Sequence, residues 1–383
     1  MRIAYIGDCI NHGKSLKTFG TSLIILLSLR TEVTSIDVYC PRENEEVEKF
    51  VQPQKVNIIG NYNYDDPLSI IKILKMPWAS YDKVIFNLLP TGFGNGILSN
   101  MAALILPLFL TTILRKKQIV VIYHNSVFTN DVKALGYDSL TDKIKAFYLG
   151  IVERFMFKNV KTFVLLKLYK DRIDYCIGKN KVKVYNADFV ESMSTVYINN
   201  VFSSNKITKS HSITPTILMH GYWGPQKNLG YALSVFRSLK EKGYKFKLVI
   251  SGGLNHHFSN FKADFKSTLE LYQDVIDAYL GYVTEKDIME IFMDTDLIVL
   301  PYNTPGGHSG VLEQAMFFEV QTIAFDFPEY REQTSGNPLV KLIKPSELNE
   351  TLIAYLNSYE KNCVLNIEKK IRLVCDNIKT ILD

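Results

Sequence analysis

Short apolar runs alternate along the chain with longer segments in which apolar residues recur at helical spacing. Residues 3–6, 35–40, 83–88, 118–123 and 162–166 read as buried strands, and residues 17–30, 65–75 and 142–157 as helices between them. That alternation predicts an α/β fold built on a parallel, doubly wound sheet. Around residues 199–212 (NNVFSSNKITKSHS) the sequence turns polar and loses its period, which marks a linker. The rhythm then restarts, with strands expected at 215–219, 247–251, 277–280, 297–300 and 321–325 and helices at 229–242, 286–293 and 311–319. Two successive Rossmann-like domains follow, residues 1–205 and 206–383, with a cleft between them and ligands at the carboxyl ends of the strands. A last helix is expected over 367–382, from the spacing of Ile367, Ile371, Val374 and Ile378, returning toward the N-terminal domain.

Residues 97–114 (ILSNMAALILPLFLTTIL), followed by Arg115, Lys116 and Lys117, approach the length of a membrane span. Ser99, Asn100, Pro107 and two threonines interrupt the stretch and favour a buried helix between parallel strands. A span, or a helix dipping into a membrane surface, remains open. With 47% hydrophobic and 22% charged residues, 383 residues suffice for two cores. A net charge of +5 is too mild and dispersed for a dedicated nucleic-acid binder, and leaves a weak pull toward anionic ligands or lipid. The five cysteines are far apart and lack metal spacing, which reads as reduced thiols in a cytosolic protein. MRIAYIG, at residues 1–7, has no signal-peptide regions, so a cytoplasmic location is expected.

The densest chemistry follows the strand at 297–300, in PYNTPGGHSGVLEQAM. A glycine-rich turn opening into a helix leaves backbone N–H groups pointing outward, fit for a phosphate, or is simply a tight turn capped by Ser309. A second strand–loop–helix segment, HGYWGPQKNLGYAL at 220–233, places Lys227 near a helix start. The run Gly92-Phe93-Gly94-Asn95-Gly96 fails as a dinucleotide fingerprint at Leu98 or Ser99. His256 and His257 lack a third ligand at metal spacing, so no metal site is expected.

Together these segments resemble the family 4 retaining glycosyltransferases of the GT-B fold (glycosyl transferases group 1), through the whole C-terminal half. GYWGPQKNL resembles the family's segment in which a glycine is followed by an arginine and then a lysine holding the nucleotide diphosphate; Gly221 and Lys227 match, and Tyr222 stands at the arginine. LVISGG (248–253) resembles the strand ending in a glycine pair, and YLGYVTEKDIMEIFMDTDLIVLPY (279–302) the segment that contacts the base near Gly281, Tyr282 and Val283. HSGVLEQAMFFEVQTIAFDFPEYRE (308–332) resembles the donor-binding loop and helix, implicating Gly307, His308, Ser309, Gly310, Val311, Glu313 and Gln314. Many relatives carry two glutamates eight positions apart in this loop; the aligned residues here are Gly306 and Gln314, with Glu313 one position earlier. In the N-terminal half, Gly13 of GDCINHGKSLKTFG is the candidate for close approach to the donor. His124, in VVIYHNS, stands where many relatives carry a histidine near the sugar, and VKVYNADF (182–189) resembles the segment closing the first domain.

The resemblance implies transfer of a hexose from a UDP- or GDP-sugar to a saccharide or lipid-linked saccharide, with retention of configuration and no metal. Lys227 and His124 would be the catalytic residues. Peripheral membrane contact through the N-terminal domain is a further expectation, from Ile71 and Leu74 beside Lys72 and Lys75 with Trp78 beyond, although a plain sheet-covering helix fits too. Competing readings are a noncatalytic GT-B subunit that binds a partner or glycan, motivated by Tyr222, Gly306 and Gln314, and, more remotely, a nicotinamide oxidoreductase.

Overall fold

A computed structural model describes residues 1–7, 15–41, 54–89, 93–94, 96–114, 118–129, 139–179, 181–190, 192–198, 206–208, 213–255, 258, 261–359, 364–366 and 368–383. Gly13, His256 and His257 lie outside the described residues. The chain forms two compact units, Met1–Ser194 with Arg372–Asp383, and Thr195–Ile371.

The first unit holds a seven-stranded parallel sheet of β1 (Arg2–Gly7), β2 (Ser35–Pro41), β3 (Val56–Tyr62), β4 (Lys83–Leu88), β5 (Gln118–Tyr123), β6 (Lys161–Val164) and β7 (Val182–Val184), in the order β3-β2-β1-β4-β5-β6-β7. Its helices are α1 (Ser15–Ser28), α2 (Pro67–Lys72), α3 (Ile97–Ile113), α4 (Leu140–Asn159) and α5 (Lys167–Ile177). The chain passes between units within α6 (Ser192–Ile198) and again within α13 (Glu368–Asn377), which α14 (Lys379–Leu382) follows. Strand β4, paired on both edges with β1 and β5, is buried along its whole length, Lys83 included. The Lys83 ammonium donates to the Ile381 carbonyl of α14 at 3.2 Å, and burial holds its pKa down at about 8. That buried bond ties the C-terminal segment into the first unit.

The second unit repeats the plan with β9 (Thr216–His220), β10 (Lys247–Ser251), β11 (Ala278–Tyr279), β12 (Leu297–Leu300), β13 (Gln321–Phe325) and β14 (Val340–Ile343), in the order β11-β10-β9-β12-β13-β14. Its helices are α7 (Leu229–Glu241), α8 (Phe261–Leu271), α9 (Glu285–Met293), α10 (Gly310–Phe317), α11 (Pro328–Thr334) and α12 (Leu348–Asn357). Within the stretch expected to be a linker, β8 (Lys206–Thr208) pairs antiparallel with β15 (Val364–Asn366).

The expected elements differ from the observed ones mainly at their ends, while β3, β14, α5, α8, α11 and α12 were not expected as elements. The helix expected over 65–75 is α2, capped by the Asp66 carboxylate and started by Pro67, followed by a separate 3₁₀ turn. The last helix breaks after Asn377 into α13 and α14. Residues 97–113 form the crossover between β4 and β5, and among the described residues no helix is long and apolar enough to cross a membrane. Trp78, expected at the rim of an apolar face, is buried against Tyr39 and Tyr81, and its indole N–H donates to the Leu74 carbonyl.

Candidate active site

The second sheet changes winding direction between β9 and β12: β9 leads through α7 to β10 on one side, and β12 through α10 to β13 on the other. Loops that diverge in this way open a crevice at the carboxyl edge of the sheet. On the β9 side, the loop runs beside the end of β10. Gly221 N–H donates to Ser251 O at 3.2 Å, Trp223 N–H to Gly253 O at 2.8 Å and Asn255 N–H to Trp223 O at 2.7 Å. Gly252 has φ +108°, and a Cβ there would lie 1.8 Å from Gly221 O, so only glycine lets the two loops touch. Gly252 N–H in turn donates to Gly281 O at 2.5 Å, which fixes the end of β11 in the same array.

Pro225–Lys227 then makes a single 3₁₀ turn, and Asn228 in the left-handed region leads into α7. This turn carries the half-buried Lys227 to a definite partner: its Nζ lies 3.4 Å above the centroid of the Tyr302 ring. Tyr302 is buried and donates its hydroxyl to the His220 carbonyl at 3.1 Å, while Asn303 N–H donates to Gln226 O at 2.8 Å. The β12 loop thus supports the β9 loop from below. A Cβ on Gly221 would meet Tyr302 Oη at 3.2 Å, Val311 Cγ2 at 3.7 Å and Lys227 Nζ at 3.9 Å. The ammonium, the first turn of α10 and the bare Gly221 backbone therefore converge on one spot at the switch point. Burial lowers the Lys227 pKa to about 7, against which the ring face beneath it favours the cation. His220 sits 2.7 Å from Ser251 Oγ through Nδ1, and burial, with the Lys227 charge, lowers its pKa to about 4; it is a neutral support near pH 7.

Before α10, Gly306 and Gly307 take φ of +63° and +106°. Gly306 thus stands in the left-handed region that glycine enters most readily. Ser309 caps α10, its Oγ accepting from Leu312 N–H at 3.3 Å. Ser309 is also clamped: its N–H donates to Gln333 Oε1 at 3.0 Å and its carbonyl accepts from Gln333 Nε2 at 2.8 Å. Of the N–H groups expected to face a phosphate, that of Ser309 is thus already used, and those of Gly310 and Val311 have no partner among the described residues.

His308 Nε2 lies 4.0 Å from Glu313 Oε2 with both side chains buried. Burial lowers the His308 pKa to about 4, so the pair is a neutral imidazole beside a carboxyl group. Gln314 is buried as well. Tyr222 is half-buried, and its ring and that of the exposed Tyr282 flank Gly253, each 3.9 Å from the position of a Cβ there. Val283, next in line, is buried.

In the first unit, His124 follows β5. Its backbone N–H donates to Leu88 O at 3.1 Å, its Nε2 lies 2.6 Å from Asn87 Oδ1, and Phe19 meets its ring edge-on at 4.5 Å. Gly7 ends β1 against the same asparagine, where a Cβ would lie 2.6 Å from Asn87 O. His124 thus stands near the first sheet's own switch point, between β1 and β4. Sequence reasoning missed Glu153 of α4, which holds this loop. Its fully buried carboxyl accepts from Tyr123 Oη at 2.6 Å, Ser126 Oγ at 2.5 Å and Val127 N–H at 3.2 Å, and burial raises its pKa to about 7. A glutamate amid the apolar residues of α4 was the available signal.

Residues 203–371, most of the second unit, match the family model described as Glycosyl transferases group 1. No curated protein matches the sequence. Among solved structures, the chain is similar over its whole length to 94% of Anabaena HepE in complex with UDP, at 11% identity and a TM-score of 0.61. It is similar in the same way to 95% of sucrose-phosphate synthase from Thermosynechococcus elongatus, at 12% identity and a TM-score of 0.65. A glycosyltransferase from Rickettsia africae matches 99% of the chain over 93% of its own, at 16% identity and a TM-score of 0.57. These likenesses show the fold, GT-B with two parallel-sheet α/β domains.

Proposed function

We propose that the protein transfers a hexose from a nucleoside-diphosphate sugar to a saccharide or lipid-linked saccharide, with retention of configuration. One observation carries the reading: Lys227 Nζ, the first turn of α10 and the uncovered Gly221 backbone meet at the switch point of the sheet that lies within the Glycosyl transferases group 1 match. A diphosphate seated there meets an ammonium and the two N–H groups of Gly310 and Val311 at a helix N-terminus. Tyr222 and Tyr282 on either side of Gly253 provide flat apolar walls for a base, and HepE, of the same fold, binds UDP.

In the transfer, the bond from the anomeric carbon to the diphosphate oxygen breaks as the acceptor hydroxyl approaches the same face. Negative charge grows on the departing oxygen, and positive charge held in place beforehand lowers the barrier. Lys227 is then the principal catalytic residue. The acceptor's proton passes to the departing diphosphate, so no strong protein base is required, and His124, held by Asn87, orients a sugar hydroxyl. No metal is needed in this scheme, because Lys227 and the α10 N-terminus supply the positive charge.

The test is a thermal-shift panel with UDP, GDP and NAD, followed by a donor-hydrolysis screen over several UDP- and GDP-sugars with and without EDTA. A shift with UDP or GDP and EDTA-resistant turnover of one sugar is the expected result. A shift without turnover of any donor favours the noncatalytic subunit, to which Tyr222 in place of a second cation points, and a shift with NAD alone refutes both.

A further inference from the structure

The first unit leaves an apolar layer uncovered. Helices α2, α3 and α4 lie side by side, α3 packed between the other two. On α4 the inward residues Leu149, Val152, Met156 and Phe157 join the core. A second stripe, Leu140, Ile144, Phe147, Tyr148, Ile151 and Phe155, is exposed, with Leu140 at 74%, Phe147 at 66% and Phe155 at 59%. At about 100° per residue these six fall within roughly a quarter to a third of the helix circumference, opposite the core side. Helix α3 repeats the arrangement, with Leu98, Ile105, Phe109 and Ile113 exposed at spacings of seven, four and four, and α2 adds Leu68 and Ile71. Isolated exposed apolar residues are ordinary; stripes on adjacent helices mark a surface that meets something.

Charge decides what it meets. Exposed Lys72, Lys75, Lys143, Arg154 and Lys158 lie on α2, the 3₁₀ turn after it, and α4. The only acidic residues within α2, α3 and α4 are Asp142, engaged in the capping box of Ser139, and Glu153, which is buried. A two-fold contact with a second copy would set lysine against lysine with no exposed carboxylate in these helices to answer it. An anionic bilayer answers both features at once, taking the apolar stripes into its interface and the basic residues at its head groups.

We propose that the α2–α3–α4 face of the first unit docks on an anionic lipid bilayer, with the Phe147 and Phe155 stripe of α4 inserted at the interface. This deepens the reading of a lipid-linked acceptor and rests on it only for purpose: its test reads membrane binding and not transfer, so either can fail alone.

The experiment is co-sedimentation of the full chain with vesicles of phosphatidylcholine alone, or with phosphatidylglycerol added. Binding to the anionic vesicles at low salt should exceed binding to the neutral ones by roughly tenfold or more and fall as salt is raised. Phe147→Ser with Phe155→Ser should lose most of it while the thermal melt stays close to that of the parent. Should that variant fail to fold, Phe147→Trp replaces it, its fluorescence expected to shift to the blue and to be quenched by brominated lipid. Absence of binding to either vesicle overturns the proposal, as does a dimer in sedimentation velocity that the two serine substitutions dissociate.

Discussion

Binding of a nucleoside diphosphate should draw one proton onto Lys227. Burial lowers this ammonium's pKa from 10.5 to about 7 in the free protein. At pH 8 a base of that pKa carries only about a tenth of a proton, and a diphosphate oxygen beside it should return the pKa to near its ordinary range, so close to one proton is taken up. The return of roughly three units corresponds to about 4 kcal/mol of coupling between proton and ligand. Two readouts follow. Calorimetric titration with UDP at pH 8 in HEPES and in Tris should give enthalpies that differ by nearly the full difference between the two buffers' ionisation enthalpies, and Kd should rise about tenfold per pH unit above pH 7. Lys227→Met should abolish both the buffer dependence and the pH slope. Equal enthalpies in the two buffers and a flat Kd in the wild type would refute the reasoning, and would mean that the Tyr302 ring keeps the cation charged before the ligand arrives.

Three further outcomes are expected. Gly252→Ala, forcing a Cβ to 1.8 Å from Gly221 O at φ +108°, should cost on the order of 3 kcal/mol and lower Tm, with UDP binding lost in whatever remains folded. Glu153→Gln should flatten part of the pH dependence of stability: the native carboxyl, raised to about 7 from 4.5, keeps its proton after the unfolded chain has released its own, so stability from this group is full below about pH 4.5 and falls as pH rises to 7, by about 3 kcal/mol. Thermal melts at pH 5 and pH 8 check the sign, which is wrong if wild type minus variant grows with pH. Gln333→Leu, removing both bonds that clamp Ser309, should weaken UDP binding several-fold, as calorimetry would read, without unfolding the second unit.

Strands β4, β10, β12 and β13 were legible in the sequence to the residue, because each is a continuous apolar run closed by turn residues and lies inside a parallel sheet. Strand β3 was not: VNIIGNY is an edge strand, half-buried and interrupted by Gly60, so its pattern is that of a loop. Strand β14 (VKLI) is short and also at an edge, and its alternation is no stronger than chance. The outward stripe of α4 is not legible either, because two apolar faces on one helix read as core until neighbours are known. At the candidate site, Lys227 and the Ser309 turn were found through local strand–loop–helix sequence. What supports them lies far away in sequence: Tyr302 under Lys227 and Gln333 on Ser309 24 residues on; in the first unit, likewise, Glu153 holds Ser126, 27 residues before it, in the loop after His124. Such pairings are made by topology, and a local pattern carries no trace of them.

The most direct measurement is turnover of the donor found by the hydrolysis screen, compared between wild type and Lys227→Ala at saturating donor. If this ammonium neutralises charge that grows on the departing diphosphate, kcat should fall on the order of a hundredfold or more, and by more than the change in KM. A kcat near the wild-type value with the same donor would contradict the claim that Lys227 carries the transfer.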